Sequence, residues 1–161
     1  GAIEKIRNIK IIAWTTIIFG VLLYISDGFK LEKNIKKDFT FKSAILIGLF
    51  QILSLVPGVS RSGIAITSAR LLNFKRFDSA KLSFLLSIPV LGAISLFGIK
   101  NLIFSESIHF TKINLISIFF SFLFSLITIK YFLVYIKKFN LNFFVYYRVL
   151  LGLILFMLAY L

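Results

Sequence analysis

The sequence contains no cysteine, a single histidine, two prolines and only six acidic residues among 161. Without cysteine there can be no disulfide, no thiolate metal site and no thiol nucleophile. The six carboxylates are Glu4, Asp27, Glu32, Asp38, Asp78 and Glu106, and all fall in terminal or loop segments of the reading below. Nothing within the apolar stretches therefore offers carboxylate oxygens to a divalent cation, or a carboxylate base. The lone histidine, His109, shares a loop with Glu106 and lacks the partners of a catalytic or metal-bound imidazole, so it reads as a solvated loop residue.

What is abundant is apolar. Hydrophobic residues make up 59% of the chain, phenylalanine alone contributes 20, and mean hydropathy is +0.97. A soluble domain of this size leaves roughly a third of its chain surface wet. So apolar a composition needs lipid as its solvent. The net charge of +13 raises the question of nucleic acid. Most lysines and arginines, however, sit in short segments between apolar runs, where loops of membrane proteins carry them. Nucleic acid is not an expected partner.

Four stretches are long enough to span a bilayer: Ile9 to Ser26, Leu82 to Ile99 with Pro89 inside it, Asn114 to Ile136 interrupted by Lys130, and Phe143 to Leu161. The first follows the basic stretch Lys5 to Lys10 without a small-residue cleavage pattern, and reads as a retained span. A fifth stretch is different. Ser43 to Val56 is about 21 Å long as a helix and stops at Pro57-Gly58, and a second arm, Gly63 to Leu72, is about 15 Å long. Neither crosses a hydrocarbon core of about 30 Å. Two short arms around a polar break predict a re-entrant hairpin over residues 43–72, tolerated where protein or a water-filled cavity surrounds it.

Loop charges support the hairpin. If 43–72 enters and leaves by one face, that face collects ten of the loop and terminal lysines and arginines and the other five; if it crosses, the sides hold eight and seven. Only the hairpin produces the expected bias. It puts the basic loops in the cytoplasm and both termini outside, with the hairpin tip near mid-membrane.

At that tip lie Ser60, Arg61 and Ser62 between Gly58 and Gly63. The glycines allow a tight turn and close approach to a ligand. The start of the second arm presents free N–H groups and the positive end of a helix dipole. Arg61 adds a planar fork suited to phosphate oxygens and the serines add donors. On chemistry alone, a phosphate pocket stands level with a plainer reading in which Arg61 snorkels and the serines cap a helix. Arg70, Lys130 and Arg148 fall near expected helix ends, where snorkelling accounts for them; for Arg70, on the hairpin's own second arm, a supporting role is the alternative.

The stretch from Gln51 to Val56 followed by PGVSRSG closely resembles the signature of the bacterial undecaprenyl-diphosphate phosphatases, the bacitracin-resistance family. So do the run Leu82 to Pro89, preceded by Arg76, and the closing pair Tyr147-Arg148. The resemblance covers nearly the whole chain. It implies removal of one phosphate from undecaprenyl diphosphate in cell-wall carrier recycling, with Arg61 and Ser60 as the catalytic residues. Gly58, Ser62, Gly63, Gln51 and Thr67 would then be substrate-binding. Two departures stand out: Ala65 replaces a threonine frequent in the family, and the family's second motif, with paired glutamates, serines and a histidine, is absent. The resemblance thus implies the C-terminal part of such an enzyme, and a divalent cation (Mg or Ca) whose ligands this chain does not carry.

The expected architecture is an all-α polytopic membrane protein, about four transmembrane helices plus the re-entrant hairpin, with 1–161 as one domain in the bacterial inner membrane. Expected partners are undecaprenyl diphosphate, membrane lipid, and the N-terminal half or a partner chain, a homodimer being one form of such pairing. The rival expectation is a transporter or flippase for phospho-lipid or phosphate, which would not need the glutamates.

Overall fold

The computed structural model describes residues 8–29, 33–104 and 112–160, with backbone only at 101–104 and 112–113. Glu4, Glu32, Glu106 and His109 lie outside the described residues. The regular elements within them are helices: α1 (Ile9–Asp27), α2 (Ile35–Asp38), α3 (Phe41–Ile52) running into a 3-10 turn (Leu53–Leu55), α4 (Arg61–Leu71), α5 (Arg76–Phe104), α6 (Lys112–Lys138) and α7 (Asn142–Tyr160). Four of these, α1, α5, α6 and α7, are long and apolar enough to cross a membrane. The protein is an all-α multi-pass membrane protein.

Side-chain caps set several of the helix starts. Asn8, Thr40 and Ser60 each accept a hydrogen bond from a backbone N–H of the turn they open, at 3.1, 3.2 and 3.1 Å. Residues 73–81 fall between the hairpin and the next apolar run read from sequence, yet most of them are helix. α5 begins at Arg76 and carries Asp78 in its first turn, and it runs unbroken through Pro89. The dipole at a helix start favours such an acid there.

The hairpin is present, and its two ends meet. Lys33 N–H donates to Asn73 O at 3.1 Å and Lys75 N–H to Lys33 O at 3.0 Å, tying the entry of the first arm to the exit of the second. At the other extreme, Thr15 Oγ1 donates to Pro57 O at 2.7 Å, fixing the tip against α1. The exit of the hairpin is bonded to Asp27, at the far end of the same helix. Twelve residues of helix separate Thr15 from Asp27, about 18 Å of rise. The tip therefore stands about one 18 Å rise of α1 away from the base of the hairpin.

Packing is inverted relative to a soluble fold. The second arm, α4, is the least hydrophobic of the longer helices, yet every residue from Gly63 to Arg70 is buried. Gly63, Ala65, Ser68 and Ala69 are small enough for neighbouring backbones to approach closely, which is how helices associate without a hydrophobic drive between them. α6, by contrast, leaves Phe119, Phe120, Phe122 and Phe124 exposed. Such surfaces belong against lipid or protein rather than water. One core cluster (Ile47, Ala69, Phe74, Leu82) locks the hairpin arms to α5. A second (Leu23, Ile66, Ala80, Ile136, Leu141, Val145) ties α1, α4, α5 and α6 to α7.

Candidate functional site

Ser60 has extended backbone at the N-cap of α4, and its Oγ accepts from Gly63 N–H at 3.1 Å and lies 3.2 Å from Ser62 Oγ. Gly58, just before it, sits at φ +88, a conformation side-chain-bearing residues rarely adopt. A Cβ there would stand 2.7 Å from Ile12 O and collide with Thr15 Oγ1. The tip can lie on α1 only because this residue is glycine. Its carbonyl accepts from Thr16 Oγ1 at 3.4 Å and from Arg148 Nη2 at 3.1 Å.

Arg148 is the residue that sequence reasoning misplaced. It lies about two turns inside α7 rather than at its end, and it does not snorkel. Its guanidinium reaches the tip: a Cβ on Gly63 would lie 2.7 Å from Arg148 Nη1. The signal was available, since an ionisable residue inside an apolar span is functional by default.

These groups line a cavity of about 640 Å³, within the ordinary range for small-molecule sites. Gly58, Ser60, Ser62, Gly63, Ser83 and Arg148 line its polar part, and Phe84, Phe132, Phe144, Leu151 and Leu155 are among its apolar walls. Ser83 is held there by donating to Ser62 O at 3.3 Å. The lining thus combines one guanidinium and several hydroxyl and N–H donors with a larger set of apolar side chains. It suits an anionic head on an apolar tail.

Of the residues expected from sequence, Gly58, Ser60, Ser62 and Gly63 come together in this cavity and three do not. Arg61 is exposed at the first position of α4, outside the lining, and makes no hydrogen bond to the described residues. Gln51 is half-buried on the first arm and outside the lining. Thr67 is buried and donates to Gly63 O at 2.8 Å, a bond within its own helix.

Among the described residues the lining contains no carboxylate and no imidazole. Among the described residues no cluster of three His, Cys, Asp or Glu is placed to hold a metal ion. Hydroxyls, N–H groups and a guanidinium suit an anion; a hard divalent cation wants carboxylate oxygens. The cavity residues therefore do not fit the cation that the resemblance implies.

Gly58 and Gly63 separate folding from site geometry. Gly58→Ala is expected to cost about 1–3 kcal/mol of backbone strain alone, with the α1 clash added, and to lower the unfolding temperature clearly. In Gly63→Ala the obstacle is the flexible end of Arg148, so the fold should survive while the guanidinium is displaced. Thermal unfolding in detergent, read beside ligand affinity, distinguishes the two.

A second site residue class went unread. Asp27, assigned from sequence to a loop, ends α1 with only 3% of its side chain exposed. It accepts from Arg76 Nε at 2.7 Å and Leu141 N–H at 3.0 Å, and pairs with Arg70 Nη2 at 3.2 Å. Arg70 is equally buried, so snorkelling is excluded for it too.

The family model described as bacitracin resistance protein BacA matches residues 2–154. The chain belongs to this family. It is 54% identical over 154 residues to the undecaprenyl-diphosphatase of Pelagibacter ubique (strain HTCC1062), covering 96% of this chain and 60% of that protein. It is 40% identical to the undecaprenyl-diphosphatase of Saccharophagus degradans, over 98% of this chain and 59% of the relative. For that of Jannaschia sp. the identity is 34%, over 99% and 60%. The chain thus spans about 60% of the length of these relatives.

Proposed function

We propose that the cavity under the hairpin tip takes the diphosphate of undecaprenyl diphosphate, and that the protein serves its hydrolysis to undecaprenyl phosphate. Water would add to the terminal phosphorus, the P–O–P bridge would break, and inorganic phosphate would leave with the lipid monophosphate retained. The observation that carries this reading is Arg148 reaching across from α7 to the N-terminal end of α4, beside Ser60 and Ser62. A guanidinium fork and helix N–H groups together are a strong diphosphate grip, and the apolar side chains of the lining suit a prenyl chain. The names of the relatives agree with this substrate.

In this reading Arg148 and the first N–H groups of α4 hold the inner phosphate, with Ser60 and Ser62 as further donors. Arg61, exposed at the same helix start and outside the lining, would meet the outer phosphate where it projects from the cavity. The base that activates water, and the ligands of a divalent cation, come from outside the cavity lining, from further sequence or a partner chain, a second copy included. The inner membrane of a bacterial cell, with the basic hairpin face cytoplasmic, is the setting we assign.

The absence of a base in the lining also favours the rival, a phospho-lipid transporter. Intact protein in proteoliposomes with undecaprenyl diphosphate distinguishes them. We expect inorganic phosphate to appear, and to fall when Arg61 or Ser62 is replaced by alanine. Lipid crossing the bilayer with no phosphate released would replace this reading with transport.

A further inference from the structure

A second cavity, of about 470 Å³, opens at the base of the hairpin. We propose that it binds the phosphate of an anionic phospholipid headgroup. It lies among the end of α1, the end of α4, the start of α5 and the end of α6, and Arg70, Lys75, Arg76 and Lys137 line it beside one acid, Asp27. That acid is already committed to Arg70, Arg76 and the Leu141 N–H. Four cations therefore share one carboxylate in the lining.

The positive-inside rule accounts for lysines on loops. It does not account for a buried arginine at a cavity wall. Arg70 spends Nη1 and Nη2 on Phe74 O, Asp27 O and Phe29 O, at 3.3, 2.7 and 3.2 Å, while its Nε is buried without a partner among the described residues. Asp27 offsets one of the four positive charges, and the other three have no carboxylate partner in the lining among the described residues. Phosphate oxygens supply several acceptors and the compensating charge together.

Position and neighbours select the lipid form of phosphate. The cavity lies at the ends of three spanning helices, where a headgroup layer would meet them, on the face that gathers the basic loops. Phe29, Phe77 and Ile136 line it next to the cations, and Lys137 Nζ lies 4.6 Å from the Phe77 ring centroid. Basic pockets between helices on this side of a membrane are suited to anionic headgroups. The site lies on a different face from the hairpin tip and does not depend on the hydrolase reading.

The test uses the intact protein in a neutral detergent and the exposed pair Lys75 and Lys137, which leaves the Asp27–Arg70–Arg76 node in place. Dioctanoyl phosphatidylglycerol, dioctanoyl phosphatidylcholine and inorganic phosphate are titrated separately, with thermal unfolding and native mass spectrometry as readouts. Phosphatidylglycerol should stabilise and be retained, and K75Q/K137Q should weaken it by about tenfold or more, at roughly 1 kcal/mol per lysine. K75R/K137R should restore it. Inorganic phosphate that competes in a lysine-dependent way would support the phosphate site, with a free ion as an additional source. Equal retention of phosphatidylcholine, or unchanged phosphatidylglycerol binding in K75Q/K137Q, would overturn the proposal.

Discussion

Arg148→Ala is expected to lower phosphate release from undecaprenyl diphosphate by about 10²–10³-fold, the usual loss when a positioned donor to transition-state charge is removed. The tip should stay in place, because Thr15 and Thr16 still hold Pro57 O and Gly58 O. Melting should therefore change far less than turnover. Arg148→Lys keeps the charge and loses the fork, so it should restore binding more than rate and separate KM from kcat. Arg61→Ala should leave the melting temperature unchanged, since Arg61 makes no hydrogen bond to the described residues. Equal turnover in Arg148→Ala and wild type would remove Arg148 from the site.

Asp27→Asn is expected to be the most destabilising single change. Two arginines and the Leu141 N–H converge on this carboxylate. Breaking a buried pair by neutralising one partner costs about 3–5 kcal/mol, because the remaining charge is left uncompensated. The node joins the end of α1, the base of the hairpin and the start of α7, so its loss should loosen the hairpin as well as lower the unfolding temperature. Combining Asp27→Asn with Arg70→Met removes the stranded charge and should recover part of the loss. A double variant as unstable as the sum of its two single changes would show that the pair is not coupled.

Apolar run lengths were enough to read the spans, and the shortness of two arms around Pro57-Gly58 was enough to read the hairpin. Both follow from bilayer thickness, a constraint that acts locally on sequence. The glycines and serines of the tip were legible for a similar reason, because turn and cap chemistry is written within a few residues. The partners of Arg148, Asp27 and Arg70 were not, although the place of Arg148 inside an apolar span already marked it as functional. Their roles depend on partners 90, 114 and 43 positions away, and no local pattern carries that pairing. Arg70 looks like a helix-end snorkeller until α1 is packed against it. The start of α5 was misjudged because Arg76, Asp78 and Lys81 look like a loop in composition, whereas at a helix start exposed to headgroups they cost little.

In the proposed complex the diphosphate sits between the hairpin tip and α7. A prenyl diphosphate carrying a photoreactive group on its terminal phosphate tests this by peptide mapping after illumination in the membrane. Crosslinks are expected within residues 58–63 and 144–151, and should be lost when unlabelled undecaprenyl diphosphate competes. Competed crosslinks confined to other segments, with neither of these labelled, would contradict that placement.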